Sequence, residues 1–379
     1  MDSWTVANRA FALELFHALN QEDPSANLLF SPFSVSSAMA MVFLGTRGST
    51  EAQLAKTLHF DTVKEIHQRF QSLNSDINKH GTSSILKVAN RLYGEKTYKF
   101  LPEFLDLTQK FYGGDLAHVD FQCASPQARQ VINEWVKGQT EGKIPELLTT
   151  GVVDSMTKLL LVNAIYFNGK WEKEFPKQAT HEAPFKVNKN ETKKVMMMYQ
   201  RNKFTVGYIE AITAYALQIS FLKDEFSMLI MLPDNNEGMT TGLQEIEKQM
   251  NLENLNEWTK PENMPVKVVD VYLPRFKLKE IYTLNSHLAH LGLTQLFDPS
   301  QADLSAMSEA RDIFISKIVH KSFVEVNEEG TKVKASTADN VNLCMMESGV
   351  EFKCDRPFLF LILHNVSKMI IFMGKCTSP

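Results

Sequence analysis

The spacing of hydrophobic residues changes near residue 158, and this change constrains the fold class more than any other feature of the chain. Before it, residues 1–150 mostly show the spacing of three to four residues that is typical of amphipathic helices. After it, continuous apolar runs such as KLLLVNAIYF (158–167) indicate strands that are buried on both faces. Helices in the first half and strands in the second predict an α+β fold, built as one domain over residues 1–379.

Several segments can be assigned individually. Phe11, Leu15 and Leu19 predict an amphipathic helix at the N-terminus. Further helices are predicted over 33–44, opened by Ser31-Pro32, and over 128–136, after Ser125-Pro126. Strands are predicted in FSMLIMLP (226–233), VKVVDVYLPRF (266–276), FISKIVHKSF (314–323) and FLFLILHNVSKMIIFMG (358–374), the last a hairpin that turns at 365–368.

Composition argues against several classes of partner and compartment. The net charge of -4 and the pI near 6.2 give no general affinity for nucleic acid or for an anionic membrane. The first twenty residues lack the apolar core of a signal peptide, and the chain has no run of about 18 apolar residues. Four cysteines without metal-like spacing indicate reduced thiols. We therefore expect a cytoplasmic protein with neither a metal nor another cofactor.

Two candidate catalytic motifs have simpler interpretations. The segment GTRGST (45–50) contains glycine but lacks the Gly-Lys-Ser/Thr ending of a phosphate loop, so a helix end is favoured. Cys344 and His320 could be proposed as nucleophile and base, but no signature surrounds Cys344 and nothing brings the two together. His320 lies within an apolar strand, which favours a structural histidine that is hydrogen-bonded inside the fold.

Two clusters of similar residues also have alternative readings. Lys189, Lys193 and Lys194 could bind a polyanion, although a solvated face is favoured. The run 196–198, three methionines, is most simply core filling. Paired carboxylates, a metal cluster and a nucleotide fingerprint are not recognisable in the sequence. The chain therefore has the character of a non-enzymatic protein.

The stretch EEGTKVKASTADNVNLCMMESG (328–349) combines the composition of a loop with the pattern of a strand. Thr331, Val333 and Ala335 share one parity with Thr337, Val341 and Leu343. The lysines at 332 and 334 have the other parity. This alternation is typical of a strand with one buried face. A loop with this pattern is suited to becoming a strand.

Four stretches carry a resemblance to a known family: NLLFSPFSVSSAMAMVFLGTRGST (27–50), LVNAIYFNGKWEKEF (161–175), KIVHKSFVEVNEEGT (317–331) and DRPFLFLI (355–362). On these motifs the chain resembles the serpins, in particular the ovalbumin-type intracellular branch, over essentially its whole length. The resemblance implies three β-sheets, about nine helices and an exposed reactive-centre loop at about 328–350. It also implies suicide inhibition, in which a protease cuts the loop and forms an acyl-enzyme, and the cut loop then inserts into the central sheet.

The resemblance assigns roles to individual residues. The family's usual loop length, seventeen residues counted from Glu328, implies a reactive bond between Cys344 and Met345, with Leu343 as the one-residue alternative. The other implied sites are the hinge (Glu328, Gly330, Thr331, Val333, Ala335), the shutter beneath the sheet (Ser31, Ser34, Asn163, His320) and the breach at its top (Trp171, Arg275, Glu328). We predict an ion pair between Glu328 and Arg275, which if exposed would contribute about 0–1 kcal/mol and would act by setting the hinge.

The loop sequence bears on target and mechanism. Leu343, Cys344 and Met345 suit the apolar pockets of elastase-like and chymotrypsin-like proteases better than a trypsin-like pocket. The segment Lys332-Val333-Lys334 departs from the alanine-rich hinge of inhibitory serpins, so the alternative is a non-inhibitory serpin with a binding, storage or chaperone-like role. The expected partner is a serine protease, with a cysteine protease as the alternative. We expect a monomer, and the nucleus and the extracellular space are alternatives to the cytoplasm.

Overall fold

A computed structural model describes residues 1–79, 84–114, 116–234, 242–329 and 348–379. Within these ranges the chain forms nine α-helices and fourteen β-strands, in agreement with the predicted α+β class. Much of the predicted reactive-centre loop lies outside the described residues. The positions concerned are Gly330, Thr331, Val333, Ala335, Leu343, Cys344 and Met345.

Six of the nine described helices lie in the first 140 residues, in agreement with the prediction, and the other three lie between residues 243 and 290. The nine are α1 (Ser3–Asn20), α2 (Pro32–Phe43), α3 (Gly48–Thr57), α4 (Ile66–Lys79), α5 (Pro102–Tyr112), α6 (Phe121–Gln139), α7 (Leu243–Gln249), α8 (Leu252–Trp258) and α9 (Asn285–His290). The start of α2 is confirmed, since the Ser31 hydroxyl accepts a hydrogen bond from the Ser34 amide at 3.1 Å and Pro32 is the first helical residue. The segment 45–50 includes the link between α2 and α3 and the first turn of α3, which confirms that it lies at a helix end.

Helix α6 begins earlier than predicted. Its first turn starts at Phe121, where the Asp120 carboxylate accepts a hydrogen bond from the Cys123 amide. Ala124 then leaves helical geometry (φ -143°, ψ 46°), and the helix resumes directly afterwards. The predicted start at Ser125-Pro126 therefore marks the second part of a kinked helix, because proline fits the first turn of a helix but not its interior.

The first sheet has five strands in the order β10-β11-β4-β2-β3. Their bounds are β2 (Ser84–Glu95), β3 (Ala117–Val119), β4 (Leu159–Gly169), β10 (Phe276–Thr283) and β11 (Ile315–Val326). The central strand β4 and its neighbour β11 are parallel, and their register places His320 beside Asn163. Both strands therefore end at the same edge of the sheet, and the predicted loop follows β11 from that edge.

The second sheet has nine strands, in the order β1-β14-β13-β8-β7-β6-β9-β12, with β5 also paired to β6. Their bounds are β1 (Leu28–Phe30), β5 (His181–Lys186), β6 (Thr192–Ile209), β7 (Ala214–Ser220), β8 (Phe226–Pro233), β9 (Val266–Pro274), β12 (Val350–Lys353), β13 (Phe358–His364) and β14 (Ile370–Cys376). Strand β6 pairs with β9 over 197–205 and with β7 over 205–209. The nine strands thus form two sets that share β6, which with the first sheet makes the three sets of a serpin fold.

Two strand predictions need correction. Strand β2 lies in the half that was predicted to be mostly helical. Its residues Ala89 and Tyr93 belong to one hydrophobic cluster and Leu92 to another, so both faces are covered and strict alternation is lost. The predicted strand 266–276 is two strands in the structure. It contains all of β9 and the first residue of β10, and Arg275 separates them.

Strand β4 separates two hydrophobic clusters. Leu161, Ile165 and Phe167 contribute to the larger one, which also contains α2 residues such as Met39. The intervening residue Val162 contributes to a smaller cluster with α6. Strand β4 is therefore packed on both sides, which explains its continuous apolar sequence.

Helix α1 binds the hairpin that β13 and β14 form. Asn8 Nδ2 donates to the Ile370 carbonyl at 3.2 Å, and Asn8 Oδ1 accepts from the Ile370 amide at 2.7 Å. The buried Arg9 donates from Nε and Nη2 to the carbonyl of Lys368, which has a left-handed φ of 62° in the turn. The predicted N-terminal helix and the predicted turn at 365–368 are confirmed, and they contact each other.

The remaining surface assignments are mostly as expected. Lys189, Lys193 and Lys194 are exposed, in agreement with a solvated face. Met197 and Met198 are buried, but Met196 is 40% exposed, so the reading of all three methionines as core was wrong at that position. Among the described helices, none is long and apolar enough to cross a membrane.

Candidate functional site

The top of the five-stranded sheet holds the segment that leads into the predicted loop. The Trp171 amide donates to the Glu329 carbonyl at 2.9 Å, and the Phe175 amide donates to the Glu328 carbonyl at 3.1 Å. The Trp171 indole Nε1 donates to the Asn327 carbonyl at 2.7 Å. Three consecutive carbonyls after β11 are therefore fixed by the segment that follows β4.

The position of Trp171 is set by aromatic packing. Its ring stacks on Phe221 with centroids 4.5 Å apart and planes at 12°, and it meets Phe175 edge-on at 5.7 Å. Trp171 is 1% exposed. Because the ring is buried and held on two sides, its indole donor is aimed at Asn327 before any change in the sheet occurs.

The Glu328 carboxylate is the central polar group of the predicted breach. Its Oε1 accepts hydrogen bonds from Arg275 Nε and from Thr180 Oγ1, each at 2.7 Å. Burial alone would raise the pKa of Glu328, but the bonds from Thr180 and Arg275 outweigh it, and the pKa lies below its usual value. A cavity of about 560 Å³ adjoins this group between β10, β11 and Lys177.

The predicted ion pair between Glu328 and Arg275 is confirmed. The premise that it would be exposed was wrong for one partner, because the side chain of Glu328 is 5% exposed while that of Arg275 is 45% exposed. A buried carboxylate that loses its donors is costly, whereas an exposed pair is worth little. The contact therefore contributes more to stability than the sequence suggested.

The four predicted shutter residues form a closed ring of hydrogen bonds. The Ser31 amide donates to His320 Nε2 at 3.0 Å, and His320 Nδ1 contacts Asn163 Oδ1 at 2.5 Å. Asn163 Nδ2 donates to Ser34 Oγ at 2.6 Å, and the Ser34 amide returns to Ser31 Oγ. All four residues are at most 1% exposed. The ring joins the start of α2 to both β4 and β11.

The geometry of the ring fixes the protonation state of His320. A backbone amide can only donate, so His320 Nε2 must accept and carry no proton. The proton of the neutral ring then lies on Nδ1 and is donated to Asn163. Burial lowers the pKa of His320 to about 3. His320 is therefore a neutral structural histidine, as predicted, and its two ring nitrogens contact Ser31 and Asn163.

The ring crosses the junction at which a new strand would enter. His320 belongs to β11 and Asn163 to β4, and neighbouring strands lie about 4.8 Å apart. One added strand would increase the separation of β4 and β11 to roughly twice that value. The bond between His320 and Asn163 cannot survive this separation, so the closed ring belongs to the closed sheet.

The far end of the predicted loop is attached to the other sheet. Strand β12 pairs in parallel with β9, and Phe352 within β12 and Cys354 directly after it are fully buried. Arg356 Nε donates to the Pro233 carbonyl at 2.8 Å. The predicted loop therefore begins on β11 of the five-stranded sheet and ends on β12 of the nine-stranded sheet.

Sequence reasoning did not find every residue of the site. Thr180 was not predicted, because a single threonine in a polar stretch carries no signal of its own. The Ile371 carbonyl accepts from Ser31 Oγ at 2.5 Å, and this backbone contact has no sequence signature either. Among the described residues, no group of three or more potential metal ligands comes together.

Replacing Glu328 with alanine should lower the free energy of unfolding by about 1–3 kcal/mol. The change removes the acceptor from Thr180 and Arg275, and hydrogen bonds to charged groups contribute about 1.5–3 kcal/mol. Urea-induced unfolding measures the effect. Glu329→Ala is the matched control, since Glu329 is an exposed neighbour and should change stability by no more than about 0.5 kcal/mol. Equal effects of the two changes would contradict the role of the buried carboxylate.

The chain is similar to known proteins over nearly its whole length. The profile of the family described as "Serpin (serine protease inhibitor)" matches residues 6–379. Leukocyte elastase inhibitor from Homo sapiens is 62% identical over 379 residues, and the protein of that name from Equus caballus is 58% identical, each match covering 100% of both chains.

Solved structures give the same result. Uncleaved ovalbumin superposes with a TM-score of 0.94 at 37% identity and covers 100% of both chains. Maspin superposes with a TM-score of 0.93 at 36% identity, covering 100% of this chain and 99% of its own. The fold, the matched length and these identities establish that the chain belongs to the serpin family.

Proposed function

We propose that this serpin is a suicide-substrate inhibitor of elastase-like and chymotrypsin-like serine proteases. It belongs to a family described as serine protease inhibitors, and it is an inhibitor rather than an enzyme. The high identity to several leukocyte elastase inhibitors supports an elastase-like target. The apolar residues Leu343, Cys344 and Met345 fit the same class of protease pocket.

The observation that carries the proposal is the parallel pairing of β4 with β11 directly before the loop. A chain that turns back at Glu328 runs antiparallel to both strands. Its insertion would replace one parallel pairing with two antiparallel pairings, which are slightly more stable per residue. The alternation of residues 331–343 supplies a face for the core and a face for solvent.

Insertion over this length would carry an attached protease a long way. Residues 331–344, from the hinge threonine to the acylated residue, would span roughly 45 Å at about 3.3 Å per residue. A protease bound to Cys344 would cross the length of the sheet. Its active site would be distorted before water could release it.

The remaining assignments form part of the same proposal. The hinge consists of Glu328, Gly330, Thr331, Val333 and Ala335. The shutter consists of Ser31, Ser34, Asn163 and His320, and the breach of Trp171, Arg275 and Glu328. The reactive bond joins Cys344 to Met345, with Leu343 as the alternative on its amino side. Thr180 joins the breach because it holds the Glu328 carboxylate together with Arg275.

Cleavage at Met345 would leave the C-terminal fragment bound. Residues 345–379 include β12, β13 and β14, which pair with β9, β8 and β1 respectively. These pairings do not depend on the cut bond. The fragment would therefore remain with the protein under native conditions and separate only on denaturation.

We further propose one domain over residues 1–379, a monomer, and action in the cytoplasm, with the nucleus and the exterior of the cell as further sites. A cysteine protease is a second type of target. Nucleic acid, membranes and cofactors have no part in this mechanism. The non-inhibitory alternative depends on Lys332-Val333-Lys334 alone, and the parity of the two lysines directs them to the solvent face after insertion.

Incubation with pancreatic elastase and with chymotrypsin tests the proposal. We expect an adduct that survives denaturing electrophoresis, together with a peptide that begins at Met345 in the mass spectrum. Trypsin is the control protease and should form no adduct at this bond. Loop cleavage without an adduct would overturn the inhibitory proposal and favour the non-inhibitory alternative.

A further inference from the structure

The C-terminal end of the loop rests on a cross-strand ion pair. Arg201 on β6 and Asp270 on β9 are register partners and form a salt bridge between Arg201 Nη1 and Asp270 Oδ2. Gly349 lies directly against this pair. A Cβ atom at Gly349 would be 2.7 Å from Arg201 Nη1 and 2.8 Å from Asp270 Oδ2, which is closer than real Cβ atoms approach. Only glycine fits this position without a shift of the pair.

The pair is braced from the side of β12. Tyr199 donates its hydroxyl to Asp270 Oδ1 at 2.8 Å, and its ring lies 4.8 Å from that of Tyr272. The Tyr272 carbonyl accepts from the Cys354 amide at 2.9 Å, just beyond the other end of β12. One connected set of contacts therefore fixes the chain on both sides of this four-residue strand.

This ion pair differs from the exposed pairs of the same sheet. The side chains of Arg201 and Asp270 are 23% and 21% exposed, whereas those of Lys194 and Glu182 are 79% and 58% exposed. Exposed pairs contribute little because water and salt screen them. The pair at Gly349 is partly shielded, so its contribution to holding the chain is larger.

We propose that Arg201 and Asp270 are positioning residues that keep the intact loop outside the sheet, so that only a cleaved loop inserts. The inference rests on the proposed inhibitory function. The hinge is held at 327–329 by Trp171 and Phe175, and the other end of the loop is held at Gly349. A cut at Met345 frees the first part of the loop from the second restraint.

The lengths involved make the restraint effective. Full insertion would move Cys344 roughly 45 Å from the hinge. The five residues that follow Cys344, up to Gly349, can span only about 17 Å. Gly349 lies against Asp270, and Asp270 precedes Arg275 by five positions on the same stretch of chain. Five extended residues span about 17 Å, so Asp270 lies within about 17 Å of Arg275, the residue that binds Glu328 in the hinge. An intact loop can insert fully only if Gly349 loses its contact with Arg201 and Asp270 and β12 separates from β9.

The test compares the durability of the inhibitor in variants of the full chain. Asp270→Ala removes the pair, and Gly349→Ala displaces it from an exposed position with little risk to folding. Glu182→Ala is the matched control, since it removes an exposed pair of the same sheet. Each protein is kept at 37 °C, and inhibition of elastase, intact mass and thermal unfolding are followed with time.

We expect the half-life of inhibition to fall at least tenfold in Asp270→Ala and Gly349→Ala, with the mass unchanged and with the accumulated product more resistant to heat. Glu182→Ala should match the unmodified protein. The double variant Arg201→Asp, Asp270→Arg should recover most of the half-life, which a loss of packing alone would not allow. If the unmodified protein forms no adduct, the proposed function fails. If it forms the adduct and Asp270→Ala and Gly349→Ala last as long as it does, the present inference alone is overturned.

Discussion

Replacing Thr331 with arginine should reduce the rate of elastase inhibition at least 100-fold while leaving the folded protein intact. Thr331 has the inward parity of the predicted loop and would be the first side chain to enter the sheet. Burying a guanidinium group without a partner costs several kcal/mol, and each 1.4 kcal/mol changes a rate tenfold. Insertion would then lose its competition with hydrolysis of the acyl-enzyme, and the variant would be cleaved as a substrate. Adduct formation on denaturing gels and the inhibition rate constant measure the effect.

Ser336→Arg is the matched control for this change. It introduces the same side chain into the same loop, but at a position of outward parity. We expect the control to inhibit within about threefold of the unmodified protein. If Thr331→Arg also retained full adduct formation, strand insertion with this register would be contradicted.

Acidification from pH 7.5 to pH 5 should destabilise the folded protein by about 2 kcal/mol through His320 alone. The pKa of His320 is about 3 in the folded protein, and an unperturbed histidine has a pKa near 6.5. Between these values the unfolded chain binds the proton and the folded chain does not. Stability is therefore fully present above pH 6.5 and is lost as the pH falls through 6.5 toward 3, by about 1.36 kcal/mol for each pH unit. The difference in unfolding free energy between the two pH values, from urea titrations, measures it.

The control for this prediction is His320→Gln, which keeps a polar side chain but removes the titrating ring. The variant should be less stable than the parent at pH 7.5, because Ser31 and Asn163 lose well-placed partners. Its stability should fall less steeply on acidification, by about 2 kcal/mol less at pH 5. Equal pH slopes in the two proteins would show that His320 is not the group that titrates.

The parts of the fold that were predicted correctly have strong local signals. Strand β8 was predicted with the observed bounds because every residue of 226–233 is buried and all but Ser227 are apolar. The start of α2 followed from Ser31-Pro32. Strand β2 was missed because its apolar residues, such as Ala89, Leu92 and Tyr93, are spaced as in a helix. The local pattern does not reveal that this segment is covered on both faces.

The site divides in a similar way. The resemblance to serpins identified Ser31, Ser34, Asn163 and His320, but the closed ring depends on which atom faces which, and only the folded chain contains that information. The ion pair of Glu328 was predicted and its burial was not. The contact of Thr180 with Glu328 and the contact of Gly349 with Arg201 and Asp270 were both missed, since a lone threonine or a lone glycine in a loop does not indicate one particular role.

The contact of α1 with the hairpin of β13 and β14 has a consequence for the order in which the protein can be assembled. A chain made from its amino end reaches β13 and β14 after the other described strands, yet in the nine-stranded sheet these two lie between β1 and β8. Until residues 358–376 have left the ribosome, β1 cannot pair with β14 and β8 cannot pair with β13. Asn8 and Arg9 of α1 likewise have no hairpin to bind. Pairings between such distant parts of a chain form slowly. The nascent protein therefore carries an open strand edge through most of its translation, in the period when aggregation and chaperone binding compete with folding.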